Sequence, residues 1–233
     1  MKDKYLKSLI DRLNANNTNG LIHLRPLTDK VEFAKVWTEK PKPTDSITDF
    51  EGPFYFYFIK NENGYYVAAV IDMKRVCDLH CFVLPKFRRN GYLTIAMKEV
   101  ILFHLFQDRE EQRITINESQ IGSKNFSASE NVAKKLGFAK KSDNAKSEYF
   151  LTNDKYKTED YIVGKDTEIS KERIMELRKQ INFISRSLWV VQTEIDMKLG
   201  NNDYSEELKE LVDEVRKHRT RIEDVWWSSK RGE

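Results

Sequence analysis

Seven apolar residues, Ile174, Leu177, Ile181, Ile184, Leu188, Val191 and Ile195, follow one another in alternating steps of three and four. That stepping holds them on one stripe of an α-helix and excludes a strand, whose side chains change face at every residue. Leu199-Gly-Asn-Asn-Asp203 breaks the pattern, with Gly200 suited to a helix end. Asp203-Tyr-Ser-Glu206 has the spacing of a capping box, and Tyr204, Leu208, Leu211, Val215, His218, Ile222 and Val225 repeat the stepping. Residues 168–229 are therefore expected to form an antiparallel, coiled-coil-like helical hairpin. Two helices are too thin to hide every apolar side chain. The second surface is expected to meet the rest of the chain, a second copy (a homo-oligomer) or another protein. Trp189, Trp226 and Trp227 are candidate anchors for such a contact, with completion of the hairpin's own core as the competing role. His218, on the seam, is expected to be a tolerated core polar group.

Upstream lies a polar stretch, Asn153-Asp-Lys-Tyr-Lys-Thr-Glu-Asp160, where the texture changes from mixed to purely helical. Residues 1–152 carry 24 Lys+Arg against 19 Asp+Glu, and residues 153–233 carry 16 against 18. The organisation read from this is a domain at 1–152, a linker at 153–167 and the hairpin at 168–229. A net charge of +3 argues against a strongly cationic nucleic-acid binder. No apolar run approaches the roughly 20 residues of a membrane span. Met1-Lys-Asp-Lys-Tyr-Leu-Lys lacks a signal-peptide core. Two cysteines make no disulfide framework, so a cytoplasmic protein without membrane contact is expected.

Within residues 1–152, Tyr5, Leu6, Leu9, Ile10 and Leu13 predict a helix over 3–15, and Leu21–Leu24 a strand. Residues 28–37 read as a helix with Thr28 at its N-cap. Residues 54–59 and 65–71 read as an antiparallel pair joined by Asn61-Glu-Asn-Gly64. Asp78–Leu84 is a strand stopped by Pro85; a helix over 92–107, a strand over 113–116, a helix over 126–136 and two short strands near Phe138 and 148–151 follow. The fold class is α+β: a mixed, mostly antiparallel sheet flanked by helices, plus the C-terminal hairpin.

The segment Val83-Leu-Pro-Lys-Phe-Arg-Arg-Asn-Gly-Tyr-Leu-Thr94 carries the chemistry. A strand ends at a proline, a basic turn follows, and a glycine stands just before a helix. Such a turn gathers unpaired backbone N–H groups and the positive end of a helix dipole at one point. Gly91 lets the backbone approach closely, and Arg88 and Arg89 add charge. The expected ligand is a phosphate or diphosphate.

This run resembles the acetyl-CoA-binding motif of the GNAT acyltransferase superfamily, in which an apolar strand and a proline precede Arg/Gln-x-x-Gly-x-Gly/Ala. Ala128-Ser-Glu-Asn-Val-Ala-Lys-Lys-Leu-Gly-Phe138 resembles that family's second conserved helix, in the form found in the branch that acetylates N-termini of ribosomal proteins. Leu21-Ile-His-Leu-Arg-Pro-Leu-Thr28 is similar to the family's first strand. The resemblance spans about residues 20–152 and implies acetyl-CoA as co-substrate and an amine, of a protein or peptide, as acceptor. It implies that Arg88, Arg89, Asn90, Gly91, Tyr92, Leu93 and Thr94 cradle the CoA diphosphate. The strand edge at Phe82, Val83 and Leu84 would pair with the pantetheine arm in a splayed gap between strands, and Asn125 would hydrogen-bond it. Leu93 stands where the family prefers Gly or Ala, Asn125 is offset by one residue from the expected asparagine, and Ala133 replaces the tyrosine acid of many members.

Acyl transfer to an amine needs a proton acceptor. His80 occupies the position where many members carry a glutamate, with Asp78 two residues earlier on the same strand face to orient it. Glu118, after strand 113–116, is a further candidate base. Cys77 and Cys81 are expected to be core thiols rather than metal ligands, since alternation separates them from His80. His23 and His104 are expected to be structural. Lys134, Lys135, Lys140 and Lys141 form a basic strip suited to a CoA 3′-phosphate or to a solvated face. The alternative reading, from Leu93, Ala133 and the appendage, is a catalytically weakened, GNAT-like interaction or assembly component, phage- or virion-associated.

Overall fold

The computed structural model describes residues 3–48, 52–140, 147–155 and 164–231. Lys141, of the basic strip, lies outside these, as does the middle of the expected linker. Contacts divide the chain into two compact units, Met1–Asp166 and Thr167–Glu233.

The first unit is an α+β fold around one eight-stranded sheet of order β1-β2-β3-β4-β5-β6-β8-β7. Helix α1 (Asp3–Asn14) precedes β1 (Ile22–Pro26), β2 (Val31–Val36), β3 (Phe54–Lys60), β4 (Tyr66–Met73) and β5 (Asp78–Val83). A helical rod follows: α2 (Tyr92–Ala96), a π-helical turn (Met97–Ile101) and α3 (Leu102–Leu105). Then come β6 (Glu111–Ile116), α4 (Glu118–Ile121), α5 (Ser123–Lys135), β7 (Ala139–Lys140) and β8 (Ser147–Thr152). Every strand pair is antiparallel except β5–β6, whose parallel register is a single pair, Asp78↔Arg113.

The expected helix at 28–37 is instead a β-hairpin. Thr28 Oγ1 accepts from the amides of Lys30 and Val31 at 3.3 and 3.1 Å, closing a turn rather than capping a helix. Val31 then faces one core and Ala34 and Val36 the other. A strand covered on both faces loses its apolar–polar alternation, and the residual spacing mimics a helix.

The two faces of the sheet are covered differently. On one, α1 contributes Leu6, Leu9, Ile10 and Leu13 to a core with Phe56, Phe58, Ile71, Phe82 and Leu84. On the other, Met97, Ile101, Leu102 and Leu105 of the helical rod and Ala133 of α5 pack on Tyr57, Val70, Leu79 and Tyr149. The tight end of the β3–β4 hairpin is set by Asn61, whose Oδ1 accepts from the Asn63 and Tyr65 amides at 3.1 and 2.9 Å.

Residues 164–166 return to β1: the Lys165 amide donates to Pro26 O at 2.7 Å and Arg25 pairs with Asp166 at 2.9 Å.

The second unit is a helical hairpin of α6 (Lys171–Leu199) and α7 (Asp203–Arg231). Ser185 Oγ donates to Val212 O at 3.2 Å, Arg219 to Asn182 at 2.9 Å, and Arg178 pairs with Glu223 at 2.5 Å, which fixes an antiparallel register. Gly200, at φ +77°, ends α6. The cap of α7 is Asn202 rather than the expected Asp203: its Oδ1 accepts from the Ser205 amide at 3.0 Å.

The seam also differs from expectation. Its buried residues are Ile174, Ser185 and Gln192 on α6 and Ser205, Leu208 and Val212 on α7. Ile184, Val191, Tyr204, Leu211 and Val225 stay exposed, as does His218. Small Ser185, whose Oγ reaches the Val212 carbonyl, sits where the helices meet, and the contact lies to one side of the middle of the apolar stripe. Trp226 is half-buried and donates to Ile169 O at 2.8 Å, while Trp189 and Trp227 are exposed. No helix among the described residues is long and apolar enough to cross a membrane.

Candidate functional site

The turn between β5 and α2 is held from three sides. Pro85–Phe87 form a 3-10 turn after the strand. The Phe87 ring packs between Tyr65 and Tyr92 at 5.9 and 6.3 Å and touches both cores. Tyr92 also donates to Glu62 of the β3–β4 hairpin at 3.0 Å. Arg88 folds back, its Nε donating to Val83 O at 3.2 Å. Phe87 was not singled out from sequence. Its position between a strand-ending proline and the basic pair was the available signal.

Past this anchor the backbone takes two left-handed residues, Arg89 at φ +65° and Gly91 at φ +82°. Amides find backbone acceptors up to Arg88 (to Pro85 O, 3.3 Å) and again from Ile95 (to Gly91 O, 2.9 Å). The intervening amides, 89–94, include the first turn of the helical rod, where N–H groups have no intrahelical acceptor. Arg88, Arg89, Asn90 and Gly91 are exposed. A Cβ at Gly91 would meet only Ile95, at 3.5 Å from its Cδ1. Leu93 is half-buried with its side chain in the core beside the helical rod, so it does not fill the turn. That orientation was legible: Leu93, Met97, Val100 and Ile101 share one helix face.

Beside the turn, β5 and β6 part company. The Arg113 amide donates to Cys77 O at 2.8 Å, and their pairing does not extend beyond the single register pair. The Leu84 amide donates to Val67 O of β4 at 2.9 Å, so Val83, one residue earlier, presents its backbone groups to the β6 side. Its carbonyl is the one taken by Arg88, which leaves its N–H toward the gap. Half-buried Cys81, Val83, Ile114, Ile121 and Phe126 give the helical side of this region an apolar lining. Burial pushes the Cys81 thiol up to about 12, with the Asp78 carboxylate adding to it, so it is a neutral core group near neutral pH. Cys77 does not share its environment: it precedes the strand in a left-handed turn at φ +47°.

The candidate acid–base residues are placed differently from expectation. Asp78 is buried and does not orient His80. Its carboxylate accepts from the amides of Leu79 and Thr115, both at 2.9 Å, and from Thr115 Oγ1 at 2.6 Å, with Arg113 Nε at 3.4 Å. It is a clasp between β5 and β6 at the point where they diverge. His80 lies on the α1 side of the sheet, and its Nε2 sits 3.1 Å from Asp3 Oδ1. The carboxylate available to orient it is therefore Asp3.

Glu118 is exposed on the first turn of α4, whose cap is Asn117. Asn125 falls in the first turn of α5 and donates through Nδ2 to Ile121 O at 2.9 Å, so its oxygen is what it offers outward. Ala133 is core. The hydroxyl reaching α5 belongs to Tyr149, which donates to Glu130 at 2.7 Å; burial and that carboxylate raise it to about 12. Lys134 pairs with Glu130 at 3.2 Å. His104 has a partner the sequence did not show, Tyr57 Oη at 2.8 Å from Nδ1.

No protein-family model matches the sequence, and no curated protein matches it. Among solved structures, a spermidine N-acetyltransferase chimera from Vibrio cholerae and hSSAT is similar at 10% identity, covering 67% of this chain and 94% of that one, with a TM-score of 0.38. A domain from Methanocaldococcus jannaschii is similar at 12% identity over 65% of this chain and 94% of its own, with a TM-score of 0.33. At such values the likenesses say nothing further about activity.

Proposed function

We propose that the first unit is an acetyl-CoA-dependent N-acetyltransferase of GNAT type. The observation that carries the reading is the conjunction of the 89–94 amides, gathered ahead of the helical rod, with a strand edge that leaves its neighbour within one residue pair. Converging N–H groups at a helix start suit a diphosphate. An open strand edge with an apolar lining suits an amide-bearing, extended arm. The inward-turned Leu93 removes the main objection to the diphosphate site.

In this reading Arg89 and Asn90 flank the phosphates, and Arg88 braces the turn through Val83 O. The Val83 N–H meets the arm, and the Asn125 oxygen accepts from one of its amides. The acceptor is an amine, of a protein or peptide by the sequence resemblance, which must lose a proton on transfer. His80, oriented by Asp3, is the base proposed for that proton, with Glu118 as the second candidate.

The test is a thermal shift with acetyl-CoA, followed by an amine-acetylation assay. Ligand at 100 times its dissociation constant stabilises by about 2.7 kcal/mol. Gly91→Trp, which fills the turn, should abolish the shift with helicity retained. His80→Ala should lower turnover with the shift intact. Absence of any shift at millimolar acetyl-CoA would overturn the assignment.

A further inference from the structure

Three loops meet at the end of the sheet that carries the 89–94 turn, and one carboxylate ties them together. Glu62 stands on the β3–β4 turn, Lys30 on the β1–β2 turn, and Tyr92 is the first residue of α2. The Tyr92 hydroxyl donates to Glu62 Oε2 at 3.0 Å, and Lys30 Nζ donates to Oε1 at 3.3 Å. Each oxygen therefore serves a different neighbouring loop. Glu62's own backbone, the Tyr92 hydroxyl and Lys30 hold its carboxyl below the usual carboxylate range, so it is an acceptor throughout the neutral range. The loop beneath it is fixed by Asn61, whose amide donates to Tyr65 O at 2.9 Å and whose carbonyl accepts from the Gly64 amide at 3.0 Å. Tyr65, of the same loop, and Tyr92 both pack on the Phe87 ring.

Tyr92 sits in the middle of the amides that the turn offers. It follows Gly91, a left-handed cap with no side chain to hold the helix start. Leu93 ties the next residue to the core, and Arg88 ties the turn to β5 through Val83 O. The Tyr92–Glu62 bond adds a tie to the β3–β4 loop. We infer that Glu62 is a positioning residue for the anion site: by holding the Tyr92 hydroxyl it fixes the direction of the 89–94 amides before a ligand arrives. The inference rests on reading this turn as the acetyl-CoA diphosphate site. It also opposes what charge alone would give. A carboxylate near a bound anion repels it, so removing Glu62 should tighten binding if charge were its whole effect. Positioning through Tyr92 has the opposite sign, and Lys30 offsets the charge.

The test measures acetyl-CoA affinity by calorimetry on the full chain, with the melting temperature of the ligand-free protein alongside. Glu62→Ala and Tyr92→Phe should each weaken binding about three- to tenfold, the worth of one net hydrogen bond. The double variant should lose no more than either single one, because both remove the same contact. Glu62→Gln keeps an oxygen for the hydroxyl and drops the charge, so it should bind within about twofold of the wild type. Glu62 is exposed, so the ligand-free melting temperature should move little in all four variants. A purely structural contact would do the reverse, lowering the melting temperature and leaving affinity alone. If the wild type binds acetyl-CoA and Glu62→Ala binds it equally or more tightly, the positioning role is overturned and the site stands. If the wild type shows no binding at millimolar acetyl-CoA, the reading of the turn falls and this inference falls with it.

Discussion

Asp78→Ala should cost the first unit about 3–5 kcal/mol. The carboxylate receives two backbone amides and a hydroxyl at 2.6 to 2.9 Å, and Asp78 is 5% exposed. Hydrogen bonds to a charged group contribute about 1.5–3 kcal/mol each, and a buried donor left alone costs about 1–3 kcal/mol. The Thr115 hydroxyl can turn elsewhere, but the amides of Leu79 and Thr115 are fixed by their strands. Two stranded amides and the lost Arg113 contact give the stated range. At about 2–4 °C per kcal/mol for a unit of this size, the melting midpoint should drop by roughly 10 °C.

Asp78→Asn keeps an oxygen for both amides but turns an NH₂ toward Arg113, so it should cost about 1–2 kcal/mol. Urea unfolding, with the slope checked for constancy, measures both variants. A loss below 1 kcal/mol for Asp78→Ala would refute the clasp. The same pair separates the two roles considered for this residue. If Asp78 oriented His80, Asp78→Asn would shift the pH profile of turnover; the geometry assigns that effect to Asp3→Asn.

Three further outcomes follow from the buried polar groups and the return segment. Burial holds the His104 pKa below 6.5, so the folded protein keeps the ring neutral while the unfolded chain takes up a proton. Its stabilising contribution is complete above about pH 6.5 and is lost as pH falls toward the folded value. His104→Gln should flatten the fall in melting temperature between pH 7.5 and 5.5, and an unchanged slope would exclude this group as its source. Arg109→Met should cost about 3–5 kcal/mol in chemical denaturation, since it leaves the Asp72 side chain, 1% exposed, without its cation. Asp72→Leu/Arg109→Met should recover much of that loss, and a double variant no better than the single one would contradict the pairing. At Gly164, φ +79°, a Cβ would lie 2.8 Å from Pro26 O and 2.9 Å from Arg25 Nε. Gly164→Ala should therefore release the Lys165 amide from Pro26 O, seen as lost hydrogen-exchange protection; retained protection would show that the segment can shift to fit.

What could be read in advance divides along the range of the interactions. The β3–β4 hairpin, the proline stop at the end of β5 and the lengths of α6 and α7 are set by neighbours a few residues apart, and their signals are local. Asp78 is the opposite case. Its chemistry is plain in the sequence, but its partner Thr115 is brought beside it only by the crossover through the helical rod. With the neighbour unknown, the nearer His80 looked like the natural companion. Strand β2 misled for a related reason: a second core, supplied by α1, covers the face that would otherwise have shown polar alternation.

The hairpin adds a subtler lesson. Its stripe of apolar residues is wider than one contact can use, and periodicity marks the stripe without choosing a line within it. Ser185 marks that choice on α6, because its small side chain reaches the Val212 carbonyl where an isoleucine would hold the helices apart. The isoleucine and leucine edge is then left exposed. Polar residues in the seam and apolar ones beside it are thus two consequences of one packing decision.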